Sequence, residues 1–246
     1  MADQLEICRF NLESALIAAR EGAHRIELCQ HPELQGTTPP REWLIAIKDE
    51  YPEIPVFIMI RPRGRNFVYG PSEIQQMKDC IESFKDIADG FVTGCLTEMK
   101  EVDIPKTTEL VQAAAPLPCT FHKAFDEIYF HHRALEDVIS TGCSALLTSG
   151  GEKTAAEATD SLKTLVARAI GRIDIIAAGG IRADNVDLIK DYSEAQWIHS
   201  SAIREGSSIA DADEIKAMLK VVDPMGQGER DMAAMERDLL TFPKKE

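Results

Sequence analysis

Residues 173–202 read IDIIAAGGIRADNVDLIKDYSEAQWIHSSA. The order is an apolar strand from Ile173, a glycine turn at Ala178-Gly179-Gly180-Ile181, a helix, a strand near Trp197, and a polar Ser200-Ser201 step. Two parallel strands joined by a helix form the βαβ unit, which takes about 30 residues. Glycine lets a ligand approach the backbone, and free N–H groups at a turn before a helix favour anions. The serines would add hydroxyl donors. In closed eight-unit barrels the loops after the last two strands often hold phosphate. The alternative is a plain strand–helix turn that takes glycine to fit.

Six similar units precede this one. Working back toward the start of the chain, apolar strand patterns run at Ala145–Thr148, Leu117–His122, Gly90–Gly94, Val56–Ile60, Arg25–Cys29 and Leu5–Cys8. Helix signals lie between them: Asn11 as a cap, Thr38 with Pro39, Pro71, Asp103 with Pro105, a run from His131 to Thr141 stopped by Gly142, and a Thr154/Glu157 capping box. A last helix spans about Asp211 to Val221. Eight strands alternating with eight helices predict an α/β fold, a single (β/α)8 TIM barrel over residues 1–222, rather than an open doubly wound sheet. Residues 223–246 form a polar tail with Met232, Met235, Leu239 and Leu240 at helical spacing.

The formal net charge of −14 argues against a nucleic-acid or anionic-membrane surface, since both reward positive charge. No apolar run reaches membrane-span length, and Met1–Glu6 shows no secretory pattern. Six widely spaced cysteines contain no CxxC pair, so a reduced cytoplasmic protein is expected.

Side chains alternate across a strand. If Leu5, Ile7, Ile26 and Leu28 meet the helices, then Glu6, Cys8, Glu27 and Cys29 point into the barrel. Arg61 ends the third strand, His122 the fifth and His199 the eighth. Glu6, Glu27, Arg61, His122 and His199 should therefore converge at the C-terminal mouth, unless they form a structural polar plug. Glu6, Glu27 and His122 can exchange protons, with Asp126 orienting a partner; Arg61 can hold a carboxylate or phosphate. Arg61-Pro62-Arg63-Gly64-Arg65 is either a solvated loop or an anion clamp facing Gly179-Gly180 and Ser200-Ser201. Lys123, next after His122, should point away from the mouth. Trp43 and Trp197 are expected to pack.

Seven segments, in order, resemble the CutC copper-homeostasis family: LEIC at 5–8, GAHRIELC at 22–29, IPVFIMIRPRG at 54–64, TFHKAFD at 120–126, LLTSGG at 146–151, AAGGI at 177–181 and IHSSA at 198–202. The resemblance implies a (β/α)8 barrel in the cytosol, linked to copper tolerance, with copper(I) held by Cys8 and Cys29. Thiolates are soft ligands suited to Cu(I), and neighbouring strands lie about 5 Å apart. Small buried core thiols are the alternative. Two departures stand out: Arg65-Asn66 replaces the Gly-Asp that relatives carry after RPRG, and the loop after Ser201 is shorter than theirs.

Three functions follow for testing. One is copper handling through Cys8 and Cys29. The second is acid–base chemistry on a small phosphorylated or carboxylated metabolite, with the anion held by Arg61, Arg63, Gly179, Gly180, Ser200 and Ser201. The third is an oligomeric scaffold without activity. The expected partners are a copper ion or small anion and further copies of this chain.

Overall fold

The protein was analysed as a computed structural model, which describes residues 3–204 and 206–226. Eight parallel strands close into a barrel in sequence order, β1 next to β8. They are β1 (Gln4–Arg9), β2 (Arg25–Leu28), β3 (Val56–Met59), β4 (Gly90–Thr93), β5 (Cys119–Phe121), β6 (Ala145–Thr148), β7 (Asp174–Ala177) and β8 (Trp197–Ser200). The connecting helices are α1 (Leu12–Arg20), α2 (Arg41–Glu50), α3 (Pro71–Phe84), α4 (Ile104–Ala114), α5 (His131–Ser140), α6 (Thr159–Ala169), α7 (Val186–Ser193) and α8 (Ala212–Val222). The barrel expected from the repeating units is the fold.

Local chemistry sets the helix starts. The Asn11 side chain accepts from Ser14 N (2.8 Å), and Asp103 and Asp211 cap α4 and α8 in the same way. Two expected starts differ. Thr38 does not open α2; the helix begins at Arg41, because a residue before proline is driven out of the α region and Pro39-Pro40 keeps the chain extended. The freed Thr38 hydroxyl instead accepts from Arg61 N (2.9 Å). The Thr154/Glu157 box caps only a single 3-10 turn, Ala155–Glu157, and α6 starts at Thr159. Of the tail, residues 227–246, with the methionine and leucine spacing, lie outside the described residues.

Strand alternation divides the interior in two. Leu5, Ile7, Ile26, Leu28, Ile58, Phe91 and Phe121 face the helices and form the main core. The lumen holds Cys8, Cys29, Phe57, Met59 and Val92 on one side, and Ala145, Leu147, Ile176 and Ala178 on the other. No helix among the described residues is long and apolar enough to cross a membrane.

Candidate functional site

A cavity of about 490 Å³ opens at the C-terminal ends of the strands. Cys8, Glu27, Cys29, Arg61, His122, Asp126 and His199 line it. Glu6 shares their face of the barrel but lies beneath the cavity, in register with His199 on the neighbouring strand.

The β1, β2 and β8 side is a connected ionic cluster. His199 Nδ1 is 2.7 Å from Glu6 Oε1, and its Nε2 is 3.5 Å from Glu27 Oε2. The other oxygen of Glu6 accepts from Arg25 Nε at 2.5 Å. The Arg25 guanidinium sits between two rings, 3.8 Å from the Trp197 centroid and 4.3 Å from that of Phe57. Burial pushes Glu6 up, but Arg25 and His199 outweigh it and hold the carboxyl at about 2. Burial pushes His199 down, yet its hydrogen bonds to Cys8 and Glu6 and the nearby carboxylates raise it to about 10. Glu27 is raised by burial, with the Glu6 charge adding to it, and its Oε1 has no partner. One imidazolium thus lies between two carboxyls driven in opposite directions.

Above this cluster Cys8 Sγ and Cys29 Sγ stand 3.9 Å apart. Ligand atoms of Cys8, Glu27 and His199 all lie within 4.8 Å of one another. The contact with Cys29, then burial, keeps the Cys8 thiol well above its usual range; burial lifts Cys29 to about 11. All six cysteines are free thiols.

The β3 and β5 side is built differently. Arg61 is buried and donates to the carbonyls of Leu34 (2.6 Å), Gly36 (2.9 Å) and Arg65 (3.0 Å), so most of its donors brace two loops. His122 Nδ1 accepts from Ala124 N at 3.3 Å. Burial, then the Arg61 charge, holds His122 down at about 3. The ring is therefore neutral, and with Nδ1 accepting, the proton sits on Nε2, which has no partner. Its seat depends on Gly94: a Cβ there would stand 2.7 Å from Nδ1. Asp126 accepts from Ser149 N (3.0 Å), Ser149 Oγ (2.8 Å), Gly151 N (3.3 Å) and the Thr148 hydroxyl, tying the turn after β5 to the Ser149-Gly150-Gly151 turn after β6.

Other predicted residues lie outside the cavity. Arg63 turns to Glu73 (2.6 Å) and the Val68 carbonyl (2.8 Å), away from the glycine turn. The Gly179 carbonyl accepts from Ala155 N, and that of Gly180 from Asn185 Nδ2. Gly179, at φ +105°, is packed so closely that a Cβ would lie 2.9 Å from that of Ser149. Ser200 Oγ donates to the Ile181 carbonyl (2.6 Å), and Ser200 and Ser201 accept from Arg182.

Sequence reasoning missed three residues here. Lys123 lines the cavity, its Nζ 3.7 Å from Asp126, because β5 ends before it and a 3-10 turn replaces strand alternation. Arg25 shares its strand face with Glu27, a signal that was present in the sequence. Arg182 follows the glycine turn, where no periodicity places a side chain.

Fold and site define a (β/α)8 barrel with a buried thiol, carboxylate and imidazole cluster at its mouth. The CutC family profile matches residues 3–220, and the chain belongs to that family. A CutC family protein of Histophilus somni is 41% identical over 199 residues, covering 80% of this chain and 82% of the relative. The human copper homeostasis protein cutC homolog is 42% identical over 199 residues, covering 80% and 72%. The solved CutC structure from Streptococcus agalactiae superposes with a TM-score of 0.77 at 30% identity, covering 81% of this chain and 98% of that one.

Proposed function

We propose that this copper homeostasis family member binds Cu(I) as cargo through Cys8 and Cys29 at the barrel mouth. The observation that carries the reading is the sulfur pair, 3.9 Å apart and facing the cavity. The donor set fits a soft ion: two sulfurs, in a lumen that also holds Met59 and Phe57. Ionising the thiols is costly in so apolar a setting; His199 and Arg61 oppose that cost. Binding then releases protons, so affinity rises with pH. Free thiols throughout support work in the reducing cytosol.

Anaerobic competition against a chromophoric Cu(I) chelator tests the reading. The wild type is expected to withdraw copper from the chelator, with affinity rising by about tenfold per pH unit for each proton released. Unchanged affinity in the C8A/C29A double variant defeats it.

A second reading, acid–base catalysis in the same cavity, is favoured by the opposed shifts of Glu6 and Glu27 around His199. Glu27 would carry the proton and the neutral His122 would donate to a substrate oxygen. Oligomerisation finds support in the exposed Met99, Tyr129 and Phe130 around a second groove, and light scattering of the purified chain tests it.

A further inference from the structure

Arg9 ends β1 on the face of Leu5 and Ile7, outside the lumen, and is 0% exposed. None of its three side-chain nitrogens has a hydrogen-bond partner among the described residues. A buried charge ordinarily pairs, because taking an ion out of water is costly. The neighbouring strand brings a second guanidinium to this end of the barrel: Ile7, two residues before Arg9 on the same face, is in register with Ser200, whose hydroxyl accepts from Arg182. Arg182 bonds no carboxylate among the described residues either. Its Nη1 donates to Ile181 O (2.7 Å) and Ser200 Oγ (3.1 Å), and its Nη2 to Ser201 Oγ (3.1 Å). Among the described residues neither arginine bonds a carboxylate, in a chain of net charge −14.

The surroundings form a rim between β1 and β8. After Ser201 the chain bends through Ala202, whose φ of +41° is strained for a residue with a Cβ. It then returns to the start of α1, where Asn11 Nδ2 donates to Ser208 O (3.3 Å) and Ala210 N to Ser14 Oγ (3.1 Å). The strand ends of a barrel near its last loops are where phosphate groups bind in many relatives of this fold.

We propose that Arg9 and Arg182, with the Ser201 hydroxyl, form a binding site for a phosphate group at the β1–β8 rim. A guanidinium presents five N–H donors in a planar fork suited to phosphate oxygens, and Arg9 has its full set free. The site differs from the expected clamp, since Arg63 and the Gly179-Gly180 turn take no part. It does not rest on copper binding and is read in the metal-free protein.

The test is thermal unfolding of metal-free protein against inorganic phosphate at constant ionic strength, with chloride as reference. A parallel series compares glycerol 3-phosphate with glycerol. A saturable rise in Tm with phosphate is expected for the wild type. In Arg182→Met the apparent affinity should fall by about tenfold or more, and likewise in Arg9→Met. Arg182 is less buried, so its variant keeps the test open if Arg9→Met does not fold. Tighter binding of glycerol 3-phosphate identifies a phosphorylated ligand; an effect of inorganic phosphate alone identifies the free ion. No saturable effect of either probe, or an effect unchanged in Arg182→Met, overturns the proposal.

Discussion

Arg25 and Arg9 are both buried and both lie at the barrel wall, yet their settings are opposite. Arg25 begins β2 inside the lumen, bonded to Glu6 and held between the rings of Trp197 and Phe57. Arg9 ends β1 on the outer face, with no hydrogen bond from its guanidinium. Burial alone therefore says little about what a charge contributes. Arg25 joins His199 in holding Glu6 ionised, whereas Arg9 is desolvated without return unless an anion joins it.

The largest effect expected from this contrast is for Arg25→Ala. It leaves Glu6 buried with His199 as its remaining ionic partner and should cost about 3–5 kcal/mol in urea unfolding. A cost below about 1 kcal/mol would mean the lumen set is worth no more than a surface pair. Arg9→Met should act in the other direction, stabilising the protein by about 1–4 kcal/mol in phosphate-free buffer, since an uncompensated ion gives way to an apolar chain of similar length. Destabilisation there would show that Arg9 already has its compensation. Arg25→Lys keeps the charge and loses the planar stacking, so about 1–2 kcal/mol should be lost by the same measurement.

Smaller and graded is the dependence on pH. His199 is raised to about 10 from 6.5, so its stabilisation is complete below pH 6.5 and fades toward pH 10. His122, lowered to about 3, favours the folded state above pH 6.5 and loses that contribution as pH falls to 3. Glu6, at about 2 instead of 4.5, adds a second loss between those values. Glu27 opposes the acid limb, its raised carboxyl favouring the fold as it takes up a proton. The site's contribution should thus peak near pH 6.5, and Glu6→Gln should flatten the decline on both sides. An NMR titration of His199 with an ordinary midpoint would break this account.

The barrel was legible because each βαβ unit repeats the same apolar spacing and cap residues, and two-residue alternation put Cys8, Glu27 and Cys29 on the lumen face. Alternation reports a face and not a depth, so it could not tell that Glu6 lies below the cavity while Cys8 reaches it. It also ends with the strand. Lys123, Arg63 and Arg182 belong to turns whose direction depends on 3-10 geometry and loop carbonyls, which no periodic pattern encodes. Arg65 illustrates the limit: its φ of +72° suits the glycine that relatives are expected to carry there, a backbone demand that the residue change alone does not reveal.

The close approach of Gly94 to the His122 ring makes one strand the custodian of another's chemistry. A single methyl group added just past the end of β4 would evict an imidazole that follows β5, although no ionisable residue had been substituted. Loss of function from such a change would look unrelated to the mouth, although its whole effect would be steric and confined there.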